Sequence, residues 1–341
     1  MRHLLHRPAR SPRPGRPASR RPALAVTAGA AALVLVLAGC GDDSSGTDAD
    51  QPETSDPFSQ VEVVGEPDAP TLEVDAPLSV TTTEVDVVTP AEDADAPVVA
   101  EGDLVSMDVL AVSGGTGDTL QSTYGSPTQL GLLADPGTTV QGLVTGVVGQ
   151  QVGSRVLVAV APEDFPVQTP PTSTTTGDGS VVLLIDIEGA STPLERAEGE
   201  EVAVPEGLPS VERAEDGAPT IGAAEGDPPT ELRVETLVQG TGEPVAEGDT
   251  VAVRYTGVVW GQTEPFDSAW VDDRPPFVFA VGAGQVIPAW DQGLQGVPVG
   301  SQVMVVAPPD TAYGDNEQGA IPAGSTLVFV VDVLAAVPTA R

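Results

Sequence analysis

The residues of this sequence that could do chemistry are aromatic rings gathered around one carboxyl group. Nine of the 12 aromatic residues lie between Tyr255 and Phe329, a stretch that also contains Asp267. Both histidines and the single cysteine lie within the first 40 residues, which have the pattern of an export signal. The remaining chain therefore has no Ser/His/Asp or Cys/His arrangement, which excludes covalent catalysis of those kinds. The rings either fill a core or line a binding pocket.

Seven short motifs with these rings occur in a fixed order. They are Tyr255-Thr256-Gly257, Phe266-Asp267-Ser268, Phe277-x-Phe279, Gly284-Gln285-Val286-Ile287-Pro288-Ala289-Trp290, Ala312-Tyr313-Gly314, Ile321-Pro322 and Thr326-Leu327-Val328-Phe329. In order and spacing they resemble the FKBP-type peptidyl-prolyl isomerases, over residues 228–337. The seven motifs together are far more specific than any one of them.

The resemblance implies a half-barrel sheet around a short helix, with an apolar pocket between them and Trp290 as its floor. Its walls would be Tyr255, Phe277, Val286, Ile287 and Phe329. Its mouth would be lined by Phe266, Tyr313 and Ile321. The N–H of Ile287 and the hydroxyl of Tyr313 would donate to the bound peptide. Asp267 would face the twisting amide.

The implied reaction needs neither a nucleophile nor a cofactor. Rotation about a peptide bond costs about 18 to 20 kcal/mol because resonance stabilises the planar amide, and an X-Pro bond isomerises unaided over tens to hundreds of seconds. The twisted amide has a less polar carbonyl, so a dry apolar pocket disfavours it less than the planar dipole.

Two loops depart from the family pattern. Residues 270–276 contain two extra acids and two prolines, and Arg274 in this loop is the nearest match to the family's pocket arginine, where it would pair with Asp267. Residues 314–320 are acidic and polar. In this family that loop influences substrate choice and macrolide binding. Macrolide inhibitors are therefore candidate ligands whose affinity the sequence does not fix.

The chain also contains a diverged internal repeat. Four pairs of segments recur in the same order, 146 to 150 residues apart, which indicates duplication of one domain. In the first copy the residues Val109, Leu120, Gln121, Leu143 and Leu183 stand where Tyr255, Phe266, Asp267, Trp290 and Phe329 stand in the second. We therefore expect the first copy to keep the fold without the active site. Its role would be spacing, dimerisation or protein binding.

Strands and one short helix must position the pocket. Residues 251–255, 302–306 and 327–333 are rich in β-branched side chains and are bounded by Gly, Pro or Asp, which predicts strands. Residues 288–294 begin with Pro, place Trp290 and Leu294 one turn apart and precede Gly296, which predicts a helix. The predicted fold class is α+β: two FKBP-like domains, each a curved antiparallel half-barrel around a short α-helix.

The charge of the chain excludes several partners. There are 14 Arg and Lys residues against 50 Asp and Glu, for a net charge of −36, and seven Arg fall within the first 21 residues. An acidic surface repels nucleic acid phosphates, so we expect no nucleic acid partner. The carboxylates lack the spacing of a calcium loop, so we expect no metal and no cofactor.

The first 40 residues read as an Arg-rich start, an uncharged stretch and Leu37-Ala38-Gly39-Cys40. This order is typical of a signal peptide, and its last four residues resemble the bacterial lipobox, which implies cleavage before Cys40 and lipidation of its thiol. Export through the general or the twin-arginine route stays open. The expected location is outside the cytoplasm, on a lipid anchor in the cell membrane.

The sequence thus predicts five segments. They are a signal peptide at 1–39, a lipidated tether at 40–57, a degenerate FKBP-like domain at 58–190, a linker at 191–207 and an isomerase domain at 208–337. The leading hypothesis is an isomerase that acts on proline-containing segments of exported proteins. The alternatives are a binding module that uses the same pocket and a purely structural surface lipoprotein. A spacer need not retain Asp267, Ile287, Trp290 and Tyr313 together, which argues against the structural role.

Overall fold

The computed structural model describes residues 56–165, 179–272 and 274–338. The predicted signal peptide, the lipidation site Cys40 and nearly all of the tether lie outside these residues. Strands predominate in the described part, and its two α-helices are short. No helix within it is long and apolar enough to cross a membrane.

The elements fall into two successive sets. The first set is β1 (Val61–Glu66), β2 (Ala69–Val74), β3 (Glu84–Thr89), β4 (Leu104–Ser113), β5 (Thr119–Ser122), β6 (Leu130–Leu133), α1 (Gln141–Val147), β7 (Arg155–Val160) and β8 (Val181–Ser191). The second set is β9 (Glu200–Glu201), β10 (Val211–Arg213), β11 (Pro219–Ile221), β12 (Arg233–Gln239), β13 (Thr250–Val259), β14 (Pro265–Ser268), β15 (Phe277–Ala280), α2 (Pro288–Gly293), β16 (Gln302–Ala307) and β17 (Leu327–Val337).

Each set forms one larger antiparallel sheet. The first sheet has the order β3-β7-β8-β4-β5, with β6 also paired to β4. The second sheet has the order β12-β16-β17-β13-β14, with β15 also paired to β13 and β9 added beside β12. The hairpins β1–β2 and β10–β11 are separate two-stranded sheets. The fold is therefore mostly antiparallel sheet with few helices, as the α+β prediction requires.

The two sheets repeat each other down to their irregularities. The β4–β8 pairing shifts register between Ser106 and Met107, and the β13–β17 pairing shifts between Ala252 and Val253. The pairings β4–β5 and β13–β14 also each contain a shift, as do β3–β7 and β12–β16. A bulge inserts an extra residue and bends the strand, so shared bulges give the two sheets the same local bends.

Both faces of each sheet are buried. On the first sheet, α1 packs over a cluster that includes Leu143 and Leu183, and the β1–β2 hairpin covers the other face at Leu72 and Leu184. On the second sheet, α2 lies on the cluster around Trp290, and Ile221 of β11 belongs to the cluster on the opposite face. Strands buried on both faces read as continuous apolar runs, which explains the Val-rich sequences of β16 and β17.

The two sheets also share an apolar cluster. Leu104 and Leu133 of the first sheet pack with Ala252, Ala335 and Val337 of the second. All of these side chains are buried. Residues 54–341 accordingly form one compact unit.

The segment predicted as a linker, 191–207, is integrated into the second sheet. The N–H of Ala197 donates to the Asp332 carboxylate (2.8 Å), and Glu200–Glu201 form β9 against β12. The N–H of Val202 donates to the carbonyl oxygen of Leu237 (2.9 Å). The Glu-rich composition suggested a solvated connection, but its backbone groups are used for sheet pairing. This segment thus forms an edge of the second sheet and is not a free linker.

The strands and the helix predicted around the pocket are present. Residues 251–255, 302–306 and 327–333 lie within β13, β16 and β17, and α2 ends one residue before the predicted Leu294. Gly296, expected to stop the helix, has a φ of 77°. A residue with a side chain rarely adopts this left-handed conformation, so glycine suits the turn after the helix.

Candidate functional site

An apolar pocket of about 200 Å³ lies between α2 and the second sheet. It is lined by Tyr255, Phe266, Asp267, Phe277, Gln285, Val286, Ile287, Trp290, Tyr313 and Phe329. We call this the site pocket. Nine of these ten residues were predicted as site residues from the sequence, and they come from six separate parts of the chain. The structure therefore brings the aromatic motifs together in one place.

Trp290 is held at the base of the site pocket by other rings. Proline at the first position of α2 has the φ that a helix needs, and the indole follows within the first turn. The ring is 4% exposed and packs edge-on against Tyr255 (centroids 5.0 Å apart) and Phe329 (5.3 Å). Edge-to-face pairs are favoured by the ring quadrupoles. Their mutual packing fixes a rigid apolar base.

Gly257 allows two of these rings to meet. A Cβ atom at this position would come within 2.6 Å of the Phe266 ring and 2.9 Å of the Phe329 ring. Both distances are shorter than real Cβ contacts. The glycine next to Tyr255 and Thr256 is therefore a steric requirement of the pocket, which the sequence pattern contained but did not explain.

Asp267 is the one carboxylate among the residues that line the site pocket, and three groups hydrogen-bond to it. The hydroxyl of Tyr255 donates to Oδ2, and the N–H of Ser268 (2.9 Å) and Nη1 of Arg274 (2.8 Å) donate to Oδ1. The ion pair with Arg274, which the sequence predicted, is present. Both partners remain substantially exposed, at 40% for Asp267 and 48% for Arg274. The pair therefore orients the carboxylate more than it stabilises the fold.

These contacts decide the ionisation of the site. Partial burial raises the pKa of the Asp267 carboxyl, but the hydrogen bonds from Tyr255 and Arg274 outweigh burial and hold its pKa below the usual range. Burial and the adjacent carboxylate raise the pKa of the Tyr255 hydroxyl. At neutral pH the pocket therefore presents a carboxylate and a protonated phenol.

Two groups at the site are available as hydrogen-bond donors. Ile287 is the N-cap of α2, and its carbonyl oxygen accepts from the N–H of Trp290 (2.9 Å). Within the part of the chain that the structure describes, neither the Ile287 N–H nor the Tyr313 hydroxyl donates to a protein group. A bound peptide carbonyl could accept from either one.

Two predicted site residues lie differently, and one lining residue was missed. Ile321, expected at the mouth, is buried at 6% exposure in the core cluster around Trp290 and does not line the site pocket. Arg274 does not line it either, since its guanidinium reaches the site only through Asp267. Gln285 lines the pocket, and its side-chain oxygen accepts from the N–H of Ala280 (3.1 Å). The sequence could have indicated Gln285 as a lining residue, because it directly precedes Val286 in the same motif.

The first sheet has a different arrangement at the matching positions. Leu143 and Leu183 are buried aliphatics there, and Leu120 is 41% exposed. A Cβ at Gly142 or Gly146 of α1 would come within 2.4 Å or 2.7 Å of valine side chains in β7, so this helix lies very close to its sheet. The space between helix and sheet that the rings and the site pocket take up in the second sheet is thus closed by direct helix packing in the first.

The described residues contain no group of three or more His, Cys, Asp and Glu side chains placed to hold a metal ion. The site instead combines an apolar floor, one oriented carboxylate and the donors of Ile287 and Tyr313. These groups suit the binding of a peptide with one of its amide bonds in apolar surroundings. They define a candidate peptide-binding pocket whose lining contains no Ser, Thr, Cys, Lys or His.

Comparisons with known proteins agree with this class. The model of the FKBP-type peptidyl-prolyl cis-trans isomerases matches residues 241–334. The chain is 40% identical to the FK506-binding protein of Streptomyces anulatus over 119 residues, which are 34% of this chain and 95% of that protein. It is 41% identical to peptidyl-prolyl cis-trans isomerase FKBP2 of Homo sapiens over 118 residues, 34% of this chain and 80% of that protein. The crystal structure of AtFKBP13 is similar at 28% identity and a TM-score of 0.30, over 32% of this chain and 96% of that one. The chain belongs to the FKBP-type peptidyl-prolyl cis-trans isomerases.

Proposed function

We propose that the site pocket isomerises X-Pro bonds in exported polypeptides at the outer face of the membrane. The observation that carries this proposal is the oriented Asp267 carboxylate above an aromatic floor, in a pocket that contains no nucleophile. In this proposal the second sheet curves around α2 as a half-barrel, and residues 208–337 form the catalytic domain. The edge strand β9 supports that domain from outside these bounds.

In the proposed reaction the site pocket replaces water around one amide bond of the peptide. Trp290 and Phe329 exclude water from the prolyl ring, so the planar amide loses more solvation than the twisted one. The Ile287 N–H and the Tyr313 hydroxyl hold the carbonyls that flank the bond. The Asp267 carboxylate faces the carbon that becomes less polar during twisting. Each group acts through placement, because rotation breaks no covalent bond.

The test of this proposal is cis/trans exchange of X-Pro peptides measured on the full chain. Asp267→Val and Trp290→Leu should each reduce exchange severely, since the first removes the carboxylate and the second the floor. The repeat supplies a matched control: Gln121→Val changes the equivalent exposed position of β5 and should leave exchange intact. Native protein that binds the peptides without accelerating exchange would refute the isomerase and leave the binding module.

The location rests on residues before the described region. Lipidation of Cys40 would anchor the chain at the membrane, with residues 40–57 as the tether. A Cys40→Ser variant should then appear in the soluble fraction of lysed cells. Retention of this variant in the membrane fraction would refute the anchor.

Macrolide binding is a further part of the proposal. The relative from Streptomyces anulatus is an FK506-binding protein by name, and the apolar, ring-lined site pocket supports the same ligand class here. FK506 should displace a bound X-Pro peptide from native protein and fail to bind Trp290→Leu. Displacement that is unaffected by this substitution would place the drug elsewhere.

A further inference from the structure

A second concavity lies between the two sheets. It is a cleft of about 570 Å³, within the range of roughly 300 to 1,000 Å³ that is usual for ligand sites. Its lining includes Glu101 and Asp135 from loops of the first set of elements, Arg254 and residues 274–276 from the second set, and residues 192–195 between the two sets. We call this space the cleft. Both sheets are needed to build it.

The cleft and the site pocket are connected through one side chain. Arg274 lines the cleft, and its Nη1 donates to Asp267, which lines the site pocket. An extended chain advances at most about 3.3 to 3.6 Å per residue. A polypeptide with its X-Pro bond in the site pocket can therefore reach the cleft within a few residues of the proline.

Arg254 has unused hydrogen-bonding capacity in this cleft. Four arginines of the described residues form ion pairs, namely Arg155, Arg213, Arg233 and Arg274. Arg254 forms none with the described residues, and its buried Nε has no partner among them. Its guanidinium lies 5.0 Å from the centre of the Trp270 ring, which holds its plane in place.

Asp332 lies directly opposite Arg254 on β17, and the two charges attract each other without an ion-pair contact in the part of the chain that the structure describes. The Asp332 carboxylate accepts instead from the Ala197 N–H (2.8 Å) and from Nε2 of Gln302 (2.7 Å). A guanidinium carries five N–H donors and binds carboxylates in a fixed geometry. In a chain with a net charge of −36, an arginine that lines a cleft and forms no ion pair with the described residues is suited to an anionic ligand group.

We propose that the cleft is a specificity subsite, which binds the polypeptide segment next to the isomerised proline and holds one of its side-chain carboxylates on Arg254. The proposal rests on the isomerase function proposed above. The lining contributed by the first set of elements is acidic at Glu101 and Asp135. A segment with an acidic residue towards Arg254 and a basic residue towards Asp135 therefore complements both kinds of charge in the cleft. The first sheet contributes to substrate choice in this way, although it lacks the pocket aromatics.

The experiment compares pairs of X-Pro peptides that contain Glu or Gln at one position, moved stepwise along both flanks of the proline. For the full chain, kcat/KM from exchange and Kd from fluorescence anisotropy should both favour Glu at one flanking position by about three- to tenfold. In Arg254→Gln the Glu/Gln ratio should fall to about one. Arg254→Lys should retain part of it, and 0.5 M salt should reduce it in the native protein.

Two further variants fix the location. Arg233→Gln removes an arginine outside the cleft and should leave the Glu/Gln ratio unchanged. Asp135→Asn removes a repelling charge from the lining contributed by the first set, keeps an oxygen to accept from the Gly137 N–H, and should raise the ratio. A ratio that responds to Asp135 cannot arise from the second sheet alone.

Several outcomes would overturn the subsite. A Glu preference that survives Arg254→Gln, or no Glu preference at any position in protein that isomerises normally, refutes it. Binding of inorganic phosphate at Arg254 without any Glu preference would show an anion site unrelated to the substrate, and also refutes it. Native protein without exchange activity that still prefers Glu in Kd would instead refute the isomerase and keep the cleft.

Discussion

Together with Arg274, the Tyr255 hydroxyl sets the charge of the site. Its hydrogen bond is the largest of the effects that lower the pKa of the Asp267 carboxyl against the opposing effect of burial. Because this pKa is depressed, the carboxylate is present through the neutral range and is lost only as the pH falls through the folded-state pKa. A rate that requires the carboxylate therefore has an acid limb at low pH.

We predict that Tyr255→Phe moves this acid limb to higher pH. The substitution keeps the ring that packs on Trp290 but removes the donor, so protonation of Asp267 becomes easier. At neutral pH kcat/KM should fall by about tenfold or less. The measurement is the pH profile of peptide exchange. Tyr124→Phe is the control, since it removes a tyrosine hydroxyl that donates to Asp186 in the first sheet. An acid limb that stays in place would exclude Tyr255 from setting the charge.

Gly257 permits a second test at a single residue. A methyl group here would contact the rings of Phe266 and Phe329 at less than 3.0 Å, so Gly257→Ala must displace at least one ring. We predict weaker peptide binding and a loss of about 1 to 3 kcal/mol in the free energy of unfolding. Isothermal titration and urea denaturation measure the two effects. The matching residue of the first sheet is Ala111, which carries a Cβ there because its partner on β8 is Leu183. Ala111→Gly should therefore leave peptide binding unchanged.

Residue types identified the site, but not every contact in it. Six of the nine predicted residues of the pocket are aromatic, and such rings are rare in this chain and cluster in sequence. The other three, Asp267, Val286 and Ile287, followed from the resemblance to the FKBP family. Ile321 could not be placed, because an isoleucine after a loop can face either the core or the ligand. Gln285 was missed for a related reason. Its side-chain oxygen accepts a hydrogen bond from the Ala280 N–H, and sequence spacing does not reveal such a contact.

At the scale of elements, the periodic strands were predictable and the edge strand was not. Continuous β-branched runs locate β13, β16 and β17, since strands buried on both faces are apolar throughout. The two-residue strand β9 consists of exposed glutamates, and what holds it is backbone pairing with β12. Backbone hydrogen bonds do not depend on the type of side chain. The amino-acid composition of a Glu-rich edge strand therefore looks the same as that of a linker.

Asp332 fixes the segment before β9 to the second sheet and makes it sensitive to pH. Burial raises the pKa of its carboxyl to about 6, although the Ala197 N–H and Gln302 act against this. The folded state therefore binds a proton that the unfolded state releases between about pH 4 and 6. The charged carboxylate accordingly lowers stability at neutral pH, and this effect declines progressively as the pH falls from about 6 to about 4.

We predict that Asp332→Asn raises the free energy of unfolding at pH 7 by up to about 2 to 3 kcal/mol relative to native protein, and by only about a third of that at pH 4.5. Asparagine keeps an oxygen for Ala197, so the segment stays attached. Urea denaturation at the two pH values gives the difference directly. Asp186→Asn at the equivalent position should act in the opposite direction at pH 7, since it breaks the ion pair with Arg155. A native-to-variant difference that does not change with pH would contradict the assignment to Asp332.

At the scale of the whole molecule, the shared cluster couples the two sheets. Gly131 of β6 lies against Thr250 of β13, and the equivalent residues Val278 and Leu104 belong to the same cluster. The two sheets thus contribute equivalent residues to their interface, as the partners of a two-fold dimer do. The repeat in the sequence predicted the two copies. Their interface depends on small residues such as Gly131 and Ala252, which have no distinctive pattern of their own.

This coupling predicts the unfolding behaviour of Gly131→Ala. A Cβ at this position would lie 2.3 Å from a Thr250 methyl group, so the added atom must separate the sheets or displace Thr250. All three tryptophans lie in the second set of elements, so tryptophan fluorescence reports on the second sheet and far-ultraviolet circular dichroism reports on both. Native protein should show coincident urea transitions for the two probes. Gly131→Ala should separate the two transitions and destabilise the protein by about 1 to 3 kcal/mol.

Adding Thr250→Ala removes the clashing atoms and should make the two transitions coincide again, a coupling expected only of residues in contact. Coincident transitions in Gly131→Ala would mean that the sheets unfold together without this contact.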